Sequence, residues 1–132
     1  MGEFDVTQEV TGAAALIVDA FDRFDRDDYF AHFSEDASFL FYNSTEVFGA
    51  RADYEAAWDR WVEGGWRIAG CTSSNGRVQV LSDDAAVFTH EIHTTVMDAS
   101  ARVEVRERET LVFSRVKSRW LAVHEHLSPY PD

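Results

Sequence analysis

Four long extended stretches, separated by turns of two or three residues, fill the second half of the chain and limit what it can fold into. They run Trp66–Leu81, Ala85–Met97, Ala101–Lys117 and Trp120–Ser128. The turns between them are Ser82-Asp83-Asp84, Asp98-Ala99-Ser100 and Ser118-Arg119. Such short connections join antiparallel neighbours, because parallel strands need a crossover of roughly a dozen residues or more. The spacing therefore predicts an antiparallel meander. Thr72-Ser73-Ser74-Asn75-Gly76 loosens the middle of its first strand and suggests a bulge. Pro129 and Pro131 end the last strand.

The first half follows a helical period. From Val10 to Phe24, Ala13, Ala14, Leu16, Ile17, Val18, Ala20, Phe21 and Phe24 recur mainly at three- and four-residue steps, which predicts a helix capped by Thr7 or Thr11. A short second helix is expected over Asp28–Phe33, capped by Asp27 or Asp28. Ala37–Tyr42 reads as an aromatic strand, with Glu46–Phe48 pairing back onto it. Arg51–Glu63 carries Tyr54, Ala57, Trp58, Trp61 and Val62 at helical spacing and stops at Gly64-Gly65. Helices followed by a long, curved meander make an α+β layout in one domain, 1–132, with helices covering one sheet face. Apolar residues on both phases of the strands call for a second cover. The economical one is another copy of the chain, with Val103, Val105, Leu111, Leu121 and Val123 as the seam.

Charge narrows the partners. The formal net charge is −12. Residues 1–66 hold 4 basic and 15 acidic side chains, against 8 and 9 in residues 67–132. The front half repels nucleic acid and anionic membranes, so neither is an expected partner. The single Cys71 excludes an intrachain disulfide and a thiolate metal cluster, and is expected to be a buried, reduced core thiol. No basic start precedes an apolar run and no apolar run spans a bilayer, which makes the cytoplasm the expected compartment.

The last strand, WLAVHEHLS, concentrates the polar chemistry. At period two, Trp120, Ala122, His124, His126 and Ser128 share one face and Leu121, Val123, Glu125 and Leu127 the other. The histidines then either are well-bonded core or interface residues, or line a pocket, or form part of a metal site. The metal reading lacks further ligands at a specifying spacing. On the preceding strand, Arg102, Glu104, Arg106, Arg108 and Thr110 share a polar face. An arginine fork in a pocket suits a carboxylate or enolate oxygen. The alternative is a cross-strand salt ladder with Glu91, Glu104, Glu107, Glu109 or Glu125. His90 and His93 lie on opposite faces of their strand, and His90 shares its face with Phe88, Ile92 and Thr94. Tyr29, Phe41 and Trp58, with the neighbouring aromatic residues, wall either an apolar cavity or plain core.

Two stretches carry a family resemblance: Arg108-x-Thr110-x-x-Phe113, and Trp120-x-x-x-His124-x-His126-x-Ser128. With the order helix, short helix, aromatic strand, Gly49-x-Arg51 helix and meander, the chain resembles the SnoaL-like branch of the nuclear transport factor 2-like superfamily. Its tail is similar to that of the calcium/calmodulin-dependent kinase II association domain. The resemblance implies a cystatin-like fold, in which a cone-shaped, curved antiparallel sheet wraps around N-terminal helices over a deep pocket, and usually a homodimer. It does not imply one activity, since relatives include polyketide cyclases, isomerases, hydrolases and dehydratases.

Two functions follow. In the first, the pocket binds a small apolar, carbonyl or carboxylate compound, with acid–base isomerase, cyclase, hydrolase or dehydratase chemistry open to it. His124 and His126 are then the catalytic candidates, because imidazole titrates near neutrality. Arg106, Arg108, Thr110, Ser128, His90, Trp58, Phe41 and Tyr29 would bind the ligand, and neither metal nor cofactor is needed. In the second, the chain is a non-catalytic homo-oligomeric assembly or accessory module.

Overall fold

In the computed structural model, which describes residues 2–132, three helices pack on one face of a six-stranded sheet. Helix α1 spans Glu3–Asp22 and buries Val6, Val10, Ala14, Ile17 and Ala20, a stripe at four- and three-residue steps. It begins a turn and more before Val10 because Val6 extends that stripe. Gly2 is its N-cap, and Glu3 and Asp5 complement the helix dipole in the first turn. Thr7 and Thr11 are therefore interior, and Thr11 donates back to the Thr7 carbonyl at 2.7 Å instead of capping. Helix α2 spans Arg26–Ala31 and is capped by Asp25, two residues earlier than Asp27: its carboxylate accepts from the Asp28 amide at 3.1 Å.

Strand β1 (Phe33–Phe41) pairs with the short β2 (Val47–Phe48), and helix α3 occupies Arg51–Glu63. Gly65 ends the α3 turn at φ +104°, a conformation that suits glycine. Its carbonyl accepts the Ala99 amide at 3.0 Å, tying this corner to the β4–β5 turn. The meander follows as β3 (Trp66–Ser82), β4 (Ala85–Asp98), β5 (Ala101–Val116) and β6 (Arg119–Pro129). The strand order is β2-β1-β6-β5-β4-β3.

Two features correct the expected cone-shaped antiparallel sheet. The sheet is mixed, since β1 runs parallel to β6. It is also open: β2 and β3 are its two edges, unpaired with each other, and it is neither strongly curled nor closed. Register shifts in β3 and at Val112/Phe113 bend it only locally.

The core lies between sheet and helices. Trp58 of α3 stacks on Phe24 and Tyr29 at centroid distances of 5.3 Å each. Phe33, Phe39, Leu111 and Phe113 are fully buried beneath the helices. Leu111 is thus core, and Val105 faces the helix side, so neither can form the outward seam expected for self-association.

Candidate functional site

A cavity of about 510 Å³ opens between the helices and the sheet face they cover, within the usual range for small-molecule sites. Ile17, Phe21, Phe41, Trp61, Trp66, Ile68 and Ile92 supply much of its apolar wall, with Asn43, Ser44, Arg60 and Asp98 among its polar lining. Three glutamates also line it: Glu107 and Glu109 from β5 and Glu125 from β6. All three are buried.

One bulge decides which residues of β6 reach this cavity. Phe113 pairs with Ala122 but Val112 pairs with His124, leaving Val123 as the extra residue. The alternation therefore changes phase. Trp120 and Ala122 are buried before the bulge, Glu125 after it, and Glu125 and Leu127 line the cavity. A regular strand would have put His124 and His126 beside Ala122. Neither histidine lines the cavity: His126 is exposed, and His124 Nδ1 sits 2.8 Å from Ser38 Oγ. Burial, with His126 close by, holds His124 below the usual imidazole range.

The arginine face also points away. Arg106 and Arg108 are exposed and lie over the Tyr130 ring at 4.0 and 5.2 Å. Arg106 reaches Glu91 across to β4 at 3.7 Å, one rung of the alternative cross-strand ladder, while Arg102 pairs with Glu104 of its own strand at 3.2 Å. Thr110 and Ser128 are likewise outside the cavity lining. Tyr29 and Phe41 do line it, whereas Trp58 is core packed behind Tyr29. Of the β4 histidines, His90 is buried on the helix side and His93 is largely exposed.

Tyr54, Tyr29, Glu125, Glu109, His90 and Ser73 form one connected chain of polar contacts. Tyr29 Oη stands 3.1 Å from Tyr54 Oη and donates to Glu125 Oε1 at 3.2 Å. Glu125 and Glu109 share a hydrogen bond. Glu109 Oε1 lies 2.6 Å from His90 Nε2, and His90 Nδ1 lies 2.6 Å from Ser73 Oγ. Glu107 bonds Tyr42, whose phenol burial pushes up to about 12.

Burial raises the pKa of all three glutamates, most for Glu125, which also faces Glu109. Two carboxyl groups in one buried hydrogen bond cannot both ionise cheaply, so the pair keeps a proton, and it belongs mainly to Glu125. Burial pulls His90 down to about 4, against the attraction of Glu125. The His90–Glu109 contact is therefore a hydrogen bond from a neutral imidazole, not an ion pair. With Glu109 accepting from Nε2–H, Nδ1 carries the lone pair and accepts from Ser73. In the sequence Glu107 stands between Arg106 and Arg108, Glu109 follows Arg108, and Glu125 stands between two histidines, so each reads as a surface charge partner. The usable signal was Glu107 and Glu109 on the same phase as Val105, Leu111 and Phe113, an apolar inner face.

Cys71 is free and buried, and burial pushes its thiol up to about 12. Among the described residues no group of three His, Cys, Asp or Glu side chains is arranged to hold a metal ion, and no helix is long and apolar enough to cross a membrane.

Helices on one face of a six-stranded sheet, with a cavity between the layers, make a fold that this chain shares with solved nuclear transport factor 2-like proteins. The chain belongs to the SnoaL-like domain family, whose model matches residues 10–132. A candidate aromatic ring hydroxylase from Novosphingobium aromaticivorans superposes with a TM-score of 0.86 at 15% identity, covering 100% of this chain and 94% of that one. A ketosteroid isomerase-like protein from Erwinia carotovora atroseptica gives 0.83 at 13% identity, covering 96% and 97%. A candidate calcium/calmodulin-dependent protein kinase II association domain from Xanthomonas campestris gives 0.70 at 20% identity, covering 93% and 84%. At these identities the likeness is one of fold. No curated protein matches the sequence significantly.

Proposed function

We propose that the cavity binds a small, uncharged, mainly apolar compound bearing a carbonyl group, and that its glutamates act on it as acid and base. The observation that carries this reading is the buried carboxyl cluster lining an otherwise largely apolar cavity. Displaced carboxyl pKa values in a cleft mark candidate functional sites. On ligand binding the O–H of Glu125, which otherwise bridges to Glu109, turns to donate to the carbonyl oxygen. Glu107, whose carboxyl burial raises above the ordinary glutamate value, is the base for a proton on the adjacent carbon. That pairing suits an isomerase or cyclase. A carboxylate ligand is disfavoured, because the arginines expected to receive it lie outside and the cavity itself is acidic.

The matching experiment is calorimetry with bicyclic ketones and the corresponding carboxylates, joined to proton–deuteron exchange at the ketone α-carbon followed by NMR. Ketones should bind at least about tenfold tighter, a difference of ~1.4 kcal/mol, and exchange should slow in Glu107→Gln. Tighter carboxylate binding, or exchange no faster than in buffer, refutes the proposal.

One observation favours the non-catalytic alternative: every buried side-chain nitrogen and oxygen among the described residues already has a hydrogen-bond partner. In that reading the chain is a homodimeric module. Leu40 and Val47, exposed and paired across β1 and β2, offer an apolar contact for a second copy. Light scattering of wild type and Leu40→Glu tests it: a dimer lost in the variant supports this surface.

A further inference from the structure

A second groove, between α1 and β3, holds reactive chemistry that the cavity reading does not use. Its volume is about 540 Å³, and Ala14, Val18, Phe88, Asp19, Asp22 and Ser73 are among the residues lining it. Ser73 is exposed, with its Oγ 2.6 Å from His90 Nδ1. On the far side of the ring, Nε2 lies 2.6 Å from Glu109 Oε1. The direction of these bonds is set from the buried end. Glu125 keeps the proton of the carboxyl pair, Glu109 accepts from Nε2–H, and Nδ1 is left as an acceptor facing the serine hydroxyl. An exposed serine needs no such partner, since water would satisfy it.

The contact also depends on local backbone. Ser73 pairs with Ile92 and Ser74 with Glu91, but the next pair is Arg77 with Thr89. The bulge takes Asn75, at φ 55°, and Gly76 out of register beside the serine. A hydroxyl, a neutral imidazole and a carboxylate that orients the imidazole, each within hydrogen-bond reach of the next, are the parts of an activated nucleophile.

We propose that Ser73 is a nucleophile with His90 as its base and Glu109 as the residue that positions His90, and that the groove accepts small, uncharged esters with an apolar acyl group. Asp19 and Asp22 disfavour anionic substrates, while Ala14, Val18 and Phe88 favour an apolar chain. In the first step Ser73 Oγ forms a bond to the ester carbonyl carbon as its proton passes to His90 Nδ1. The carbon–oxygen bond to the alcohol then breaks, and the alcohol leaves with that proton. Solvent water, deprotonated by the same nitrogen, releases the acid and restores the serine. This goes beyond the cavity reading while sharing Glu109 with it; the two fail distinguishably, because a serine adduct reports on the groove and ketone exchange on the cavity.

The test uses the full chain with p-nitrophenyl butyrate and, separately, an uncharged alkyl fluorophosphonate, read by intact mass and peptide mapping. One adduct per chain on Ser73 is expected, with a labelling rate that falls only in acid as His90 protonates. Ser73→Ala should lose the adduct while Thr72→Ala, also exposed, keeps it. His90→Gln should slow labelling at least about a hundredfold, the low end for removing a general base. Because His90 is buried, its variant counts only if its near-ultraviolet circular dichroism matches wild type; Ser73→Ala decides the matter otherwise. No adduct, an adduct elsewhere, or unchanged labelling in Ser73→Ala overturns the proposal.

Discussion

Glu125→Gln tests the account of the buried carboxyl pair through stability. Folded Glu125 holds its proton well above the ordinary glutamate value of 4.5, because burial and Glu109 disfavour its charge. Above pH 4.5 the native state thus binds a proton that the unfolded chain has released. Stability must fall as pH rises through that window, by up to about 1.4 kcal/mol per pH unit for one proton. Below the unfolded value this penalty is absent. Glutamine has the same shape and no proton to lose. Its carbonyl can accept from Tyr29 and its amide can donate to Glu109, so both bonds survive.

At pH 5 the variant should lie within about 1 kcal/mol of wild type, the scale of a single hydrogen bond. By pH 7 it should have gained up to about 2.7 kcal/mol on wild type, two pH units at the one-proton slope. Glu125→Ala also has no proton to lose, but it removes one hydrogen bond from the Tyr29 hydroxyl, which keeps Tyr54, and one from Glu109, which keeps His90, so it should lie below Glu125→Gln by about 1 kcal/mol for each bond lost at every pH. Urea unfolding of the three proteins at pH 5, 6 and 7 supplies the free energies. Parallel curves for wild type and Glu125→Gln, or a glutamine variant as damaged as the alanine one throughout, would refute the reasoning.

Three further outcomes are expected. Gly65→Ala should destabilise by about 1–2 kcal/mol in thermal or urea melts, since it forces a side chain onto a left-handed backbone at φ +104° and places its Cβ 3.1 Å from the Ala99 amide nitrogen. With its thiol pushed to about 12, Cys71 is thiolate to only about one part in ten thousand at pH 8, so a thiol-disulfide reagent should react with it only in denaturant. His126→Ala, an exposed change outside the cavity, should alter stability by less than about 0.5 kcal/mol and leave the affinity of any cavity-bound ketone unchanged, as read by calorimetry.

Periodicity and turn chemistry determined the elements of this chain. Arg51–Glu63 is helical over the very residues its spacing indicated, and the long strands begin and end within two residues of their sequence limits. These are local properties: a helix or hairpin answers to neighbours a few residues away. The alternation of β4 likewise puts His90 on one phase with Phe88, Ile92 and Thr94 and His93 on the other, but which phase faces the helices was decided only by the tertiary structure. The tertiary structure decided what sequence periodicity could not. A single inserted residue, Val123, reverses the side-chain phase of β6, so Glu125 enters the cavity and the histidine pair leaves it. The parallel pairing of β1 with β6 and the open edges of β2 and β3 likewise depend on which distant segments meet. The acidity of Glu107, Glu109 and Glu125 depends on the same thing. Each is an ordinary glutamate in the sequence; burial between helices and sheet removes their water, which raises all three pKa values and leaves a proton on the Glu109–Glu125 pair.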